Sequence, residues 1–176
     1  MDANSTPSEH GLVIGRFIPP HGGHDFLLTE AFNLSAGNLT VMVMSRDDDA
    51  IPGDVRVEWL RHQHPGKNIL LVKHGIPLGQ IDAPTWQRWI DLINANLASP
   101  VTTIFSSETY GDEAARRMGI RHHLVDMSRN AVPVSGTKIR NDFEANKQYI
   151  SDEVYQWMKA NWKKPPAAPA SPVPQP

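Results

Sequence analysis

Short apolar runs alternate along the chain with stretches in which apolar residues recur every three or four positions. LTVMVM at 39–44 is almost wholly apolar, and 12–14, 69–72 and 101–105 share the signature, with a weaker case at 123–125. Runs of this length suit strands buried on both faces of a parallel sheet. Between them, helical spacing is kept by Phe26, Leu27, Ala31 and Leu34 over 23–34, and by Val55, Trp59 and Leu60 over 55–64. Trp86, Trp89, Ile90 and Ile93 repeat it over 85–97. A shorter helix at 112–118 stops at Gly119, and a last one follows the capping Ser151, with Glu153 in its first turn, and ends near 162.

Strand and helix thus alternate about five times without an internal repeat. That order predicts an α/β fold: a Rossmann-like open parallel five-stranded sheet with helices on both faces and right-handed crossovers. The folded domain is expected at 10–162. Residues 1–9 are expected to be a flexible N-terminus, too polar and acidic for a secretory signal. KKPPAAPASPVPQP at 163–176 holds six of the 15 prolines and predicts an extended, disordered tail.

Composition narrows the function classes. A chain of 176 residues has room for one domain with a real core. Its formal net charge of -2 and pI near 6.4 give no electrostatic case for nucleic acid or an anionic membrane as partner. No apolar run approaches the ~20 residues that span a bilayer. Cysteine is absent, which removes disulfides, thiolate nucleophiles and Cys-type zinc sites, and a cytoplasmic location is expected.

Candidate chemistry begins with GRFIPPHGGH at 15–24, between the first strand and the first helix. Ligands of open parallel sheets bind at that edge. Three readings fit the loop. His21 and His24 could ligate zinc, which needs a third or fourth ligand that the scattered remaining histidines do not offer in sequence. The segment could be a structural turn, with glycines for tight geometry and Pro19 and Pro20 for stiffness. Or it could cradle phosphate, with Arg16, two imidazoles and the amino end of a helix facing one anion. VPVSGTKIR at 132–140 is a second segment of that type, with Ser135 and Thr137 at the start of a short helix and Lys138 and Arg140 behind them. Two anion sites at one sheet edge point to a polyphosphate held between them.

These residues carry a resemblance. HGGH (21–24) resembles the H-x-G-H signature of the nucleotidyltransferase superfamily, and SGTKIR (135–140) resembles its S-x-T-x-x-R segment. GRFIPPHGGH is similar to the form found in NMN adenylyltransferases of the archaeal and NadR types. SSETYGDEAARRMGIRHHLVDMSRNAVPVSGTKIR and TWQRWIDLI resemble the NadR-type layout, and the likeness extends over about 10–162. The signature's variable position, often Lys or Thr in relatives, is Gly22 here, which implies one phosphate contact fewer. No Walker A pattern is present, so a kinase activity is not expected of these residues.

The resemblance implies a nicotinamide-nucleotide adenylyltransferase, moving AMP from MgATP to NMN to give NAD and pyrophosphate. It implies catalytic roles for His21, His24, Arg16 and Arg140. Gly15, Phe17, Gly23, Ser107, Arg129, Ser135 and Thr137 would bind ATP, with Glu108 near the adenosine. Arg16, Trp86, Trp89 and Asp47 would bind NMN, Trp86 by stacking and Trp89 as pocket wall. Tryptophans at helical spacing also suit a core, and the acidic run Asp47–Asp49 also suits a solvated loop. Mg²⁺ is expected on the triphosphate, with no protein metal ligands. ATP, NMN and further copies of the chain in a homo-oligomer are the expected partners. Other readings are a different phosphate-monoester acceptor (a flavin nucleotide, phosphopantetheine or a sugar phosphate) or a non-enzymatic NAD or NMN sensor.

Overall fold

The computed structural model describes residues 9–163; the expected N-terminal segment, apart from Glu9, and the proline-rich tail beyond Lys163 lie outside them. Five strands form one sheet, β1 (Gly11–Gly15), β2 (Leu39–Ser45), β3 (Asn68–Lys73), β4 (Thr103–Ser106) and β5 (Arg121–Leu124), in the order β3-β2-β1-β4-β5. Every pairing is parallel. The helices are α1 (Gly22–Leu34), α2 (Gly53–Gln63), α3 (Ala83–Ala95), α4 (Tyr110–Met118), α5 (Gly136–Asn141) and α6 (Asp152–Asn161). This is the doubly wound arrangement expected from the alternation of apolar runs.

Strand alternation assigns the two faces. Val13, Val41, Val43, Ile69 and Phe105 pack against Leu27, Leu28 and Ala31 of α1 and Val57 and Leu60 of α2. Their neighbours Leu12, Met42, Met44 and Val72 point the other way, onto Ile90 and Ile93 of α3. Because side chains alternate across a strand, a continuous apolar run is what covering both faces requires. Ala114 and Ala115 of α4 complete the second layer over Ile104. A separate cluster of Ile18, Ile51, Val134, Ile139, Val154 and Met158 seats α5 and α6 beside the loop that follows β1.

Caps set the helix starts. Asp82 accepts from Thr85 N at 2.9 Å, which begins α3 two residues earlier than periodicity suggests, with Pro84 in the first turn. Ser151 caps α6 as expected, and Gly119 ends α4 in the left-handed conformation at φ 67°. Strand β4 begins two residues after the start of its apolar run and β5 two residues before the start of its own. Val101 precedes the β4 ladder, and Thr102 hydrogen-bonds to His10 instead.

Topology places the site. The chain winds from β1 outward through β2 to β3, then crosses back to add β4 on the other side of β1. The carboxyl ends of β1 and β4 therefore border a switch point, where an open α/β sheet leaves a crevice.

Candidate functional site

A cleft of about 780 Å³ opens at that switch point. Ile14, Gly15, Arg16, Phe17 and Ile18 line it from the end of β1, and Ser107 and Glu108 from the end of β4. His21, Gly23 and His24 enter from the first turn of α1, Ser135, Thr137 and Arg140 from α5 and its cap, and Arg129 from the preceding turn. Trp86 and Trp89 of α3 form the far wall. The structure thus brings together nearly all the candidate residues. Asp47 is the exception: it is solvent-exposed and not among the lining residues.

His21 is the N-cap of α1, and its Nδ1 accepts from Gly23 N at 3.1 Å. That bond fixes the tautomer: the proton sits on Nε2, as a donor. His24 stacks on His21 with ring centroids 3.8 Å apart, and Phe17 tilts against its ring at 4.7 Å. Gly23 leaves room for the ring, since a Cβ would lie 3.0 Å from His21 Cε1, a tight contact. Gly22 faces elsewhere. A Cβ there would lie 3.4 Å from Val132 and 3.7 Å from the Tyr149 carbonyl, and Gly22 is not among the lining residues.

Both imidazoles are kept neutral. Burial, then the Arg129 guanidinium, pushes His21 down from its ordinary value to about 4. Burial, then His21 itself and Arg129, holds His24 well below the usual histidine range. His24 Nδ1 is buried with no hydrogen-bond partner, so a second proton on that ring would be an unsatisfied donor. Among the described residues, no three His, Cys, Asp or Glu side chains gather as a metal cluster.

Facing the histidines, Ser135 caps α5 by accepting from Lys138 N at 3.2 Å. Arg140 donates Nη1 to the Ile18 carbonyl at 2.5 Å and Nη2 to Thr137 Oγ1 at 3.1 Å, tying α5 to the loop after β1. Burial and the nearby Arg16 both lower the Arg140 pKa, so cationic groups converge on one volume. That volume favours an anion with several negative oxygens.

Four features escaped the sequence. His74 lines the cleft and packs edge-on against Trp89 at 4.6 Å; nothing in VKHGIP marks it. Tyr110 also lines it and donates to the Ile14 carbonyl at 2.7 Å, and burial raises its pKa. Asp126 accepts from the backbone N–H groups of Asn130, Ala131 and Val132, shaping the turn that presents Arg129. The fourth, Arg56, is wholly buried; a signal existed, since it precedes Trp59 and Leu60 by three and four positions and so shares their inward face.

A Ser–His–Asp chain exists outside the cleft. Ser106 Oγ lies 2.8 Å from His122 Nε2, whose Nδ1 lies 2.7 Å from Asp112. Ser106 is 1% exposed, donates to the Glu108 carbonyl and does not line the cleft, so it offers no nucleophile to a ligand there. The chain instead locks the corner that presents Ser107 and Glu108. His123 points away from this set, towards Phe105 at 5.4 Å, as strand alternation requires.

Comparison with known proteins identifies the fold. No family model matches the chain, and no curated protein matches its sequence. Among solved structures, a NadR protein in complex with NAD and AMP-PNP aligns at TM-score 0.61 and 19% identity, over 81% of this chain and 44% of that one. A NadR protein in complex with NR aligns at 0.57 and 20%, over 82% and 43%. A bifunctional NMN adenylyltransferase/ADP ribose pyrophosphatase from Francisella tularensis aligns at 0.63 and 16%, over 86% and 50%. The chain therefore shares the parallel α/β fold of these three structures, and it spans half or less of each of them. No helix among the described residues is long and apolar enough to cross a membrane.

Proposed function

We propose that residues 10–162 form a nicotinamide-nucleotide adenylyltransferase, which transfers AMP from MgATP to NMN and releases pyrophosphate. One observation carries the reading. HGGH and SGTKIR, more than a hundred residues apart in sequence, meet at one cleft together with Arg16. A cleft of about 780 Å³ lies within the 300–1,000 Å³ range typical of small-molecule sites. The NadR and Francisella structures, whose ligands and names include NAD, AMP-PNP and NMN adenylyl transfer, support the choice of substrates.

In the reaction a phosphate oxygen of NMN attacks the α-phosphorus of ATP, the bond from that phosphorus to the bridging α,β-oxygen breaks, and pyrophosphate leaves. No protein nucleophile takes part, so catalysis rests on positioning and charge stabilisation. His24 and His21 donate from Nε2 to the phosphate chain, His24 towards the α-phosphoryl oxygens where charge develops. Arg140, Ser135 and Thr137 hold the β- and γ-phosphates, and Arg16 spans the NMN phosphate and the α-phosphate. Ser107, Glu108 and Arg129 border the adenosine. Of the carboxylates lining the cleft, Asp126 is engaged by backbone N–H groups and Glu108 lies 4.0 Å from Arg129. A Mg²⁺ arriving with the triphosphate would supply charge neutralisation there.

The pyridinium of NMN stacks on Trp86. This ring already has the Arg117 guanidinium 5.7 Å from its centroid, and it also packs beside Ile104 and Ala114. Trp86 thus packs against the core and lines the cleft at once. Trp86→Leu keeps the apolar volume and removes the π face. Steady-state kinetics should show KM for NMN rising roughly tenfold, the scale of a partly desolvated cation–π pair, with KM for ATP nearly unchanged. Equal rises in both would assign Trp86 to packing alone.

The decisive assay is pyrophosphate release from ATP and Mg²⁺ with a panel of phosphate monoesters. NMN should be turned over well above all others. Release with a flavin nucleotide, phosphopantetheine or sugar phosphate instead would replace the acceptor, and binding of NMN without release would make the protein a sensor.

A further inference from the structure

The acidic run at 47–49 does not act as one unit. Asp47 and Asp48 are exposed, whereas the side chain of Asp49 is 1% exposed and lies behind the cleft wall. Its Oδ1 accepts from Arg16 Nη2 at 2.5 Å, and its Oδ2 accepts from Arg56 Nη2 at 2.7 Å and from Arg46 N at 3.0 Å. Arg56 in turn donates Nη1 to the Met44 carbonyl and to the backbone carbonyl of Arg16 itself. Arg16 is thus gripped at both ends, main chain by Arg56 and guanidinium by Asp49.

Such an arrangement is costly to keep for stability alone, because a buried ion pair is often replaceable by apolar residues of similar volume. What it achieves is local. Arginine carries much rotamer freedom, and a guanidinium already held in place loses little of it on meeting an anion. Arg16 is 47% exposed in its side chain, and among the described residues its Nε and Nη1 make no hydrogen bond, so those donors remain for a ligand. We propose that Asp49, itself held by Arg56, is a positioning residue that fixes the Arg16 guanidinium across the mouth of the cleft, ready for a phosphate. The inference rests on the function proposed above, in that Arg16 meets substrate phosphate.

The test is Asp49→Asn in the full chain, alone and combined with Arg16→Ala, read by pyrophosphate release from ATP and NMN and by thermal unfolding. Asparagine keeps the shape and removes the charge. The expected result is a roughly tenfold fall in kcat with KM for ATP within about twofold, and no further loss when Arg16 is already alanine. An unchanged kcat, or the same tenfold loss in the Arg16→Ala background, overturns the proposal. If Asp49→Asn leaves Arg56 uncompensated and the variant does not fold, Asp49→Asn with Arg56→Met removes charge and countercharge together, and the same pattern is expected of it. If the unaltered protein releases no pyrophosphate with NMN, the function proposed above fails, and inorganic tripolyphosphate binding decides the role of Asp49. Weaker binding in the Asp49 variant that is lost in the Arg16→Ala background supports it; equal binding overturns it.

Discussion

Replacing His24 by alanine is expected to leave a folded protein whose kcat falls by a factor on the order of 10²–10³, the usual cost of one preorganised donor. Folding should survive for three reasons. Position 24 lies in the first turn of α1, where alanine is a good helix former. The His24 Nδ1 has no partner whose loss would orphan another buried group. And the N-cap bond of α1 comes from His21, not from His24. The lost interaction develops with charge in the transition state, so kcat and kcat/KM should fall together while KM for ATP moves little. Initial-rate kinetics with a melting curve check this. A folded His24→Ala protein within threefold of the original kcat would remove His24 from the reaction.

The central strands and the helices over them were legible because burial on both faces demands continuous apolar runs, whereas β5, an edge strand of largely exposed residues, left no such run in RHHL. The convergence of 15–24 with 132–140 was legible too, since topology alone sends both segments to one sheet edge. What stayed hidden depends on side chains that are neither apolar nor periodic. Asp49 reads in sequence as the third member of a solvated run, and its burial is decided by Arg56 on a different element. Phe17 adopts φ 52°, and Gly15 makes room for its ring, since a Cβ there would lie 2.9 Å from it. Neither the ring's burial nor its place under His24 follows from the letters GRF. The Ser106–His122–Asp112 chain shows the converse hazard: catalytic residue types in hydrogen-bonding order, yet with the serine buried and outside the cleft lining.

Acid should destabilise the protein through His21. Its pKa in the folded protein is about 4, against an ordinary value of 6.5, so the unfolded chain binds the proton more readily. The sign follows: stability from this group is fully present above pH 6.5 and is lost as pH falls towards 4. Below both values the loss amounts to on the order of 3 kcal/mol. His24, shifted in the same direction, adds to it. Carboxylates also titrate in acid, so the measurement is a difference. His21→Asn removes the titration while an asparagine can still cap α1, and its melting temperature should depend less on pH than that of the unaltered protein between 6.5 and 4. Parallel curves would show that the His21 imidazole is not held neutral by its surroundings. The same balance links folding to the site. Burial and Arg129 keep the ring uncharged in the free protein, and a bound triphosphate opposes both by adding negative charge beside it. Nucleotide binding below pH 6 should therefore draw in protons at His21, and calorimetry in buffers of different ionisation enthalpy, compared between the unaltered protein and His21→Asn, would separate that uptake from the titration of the phosphates.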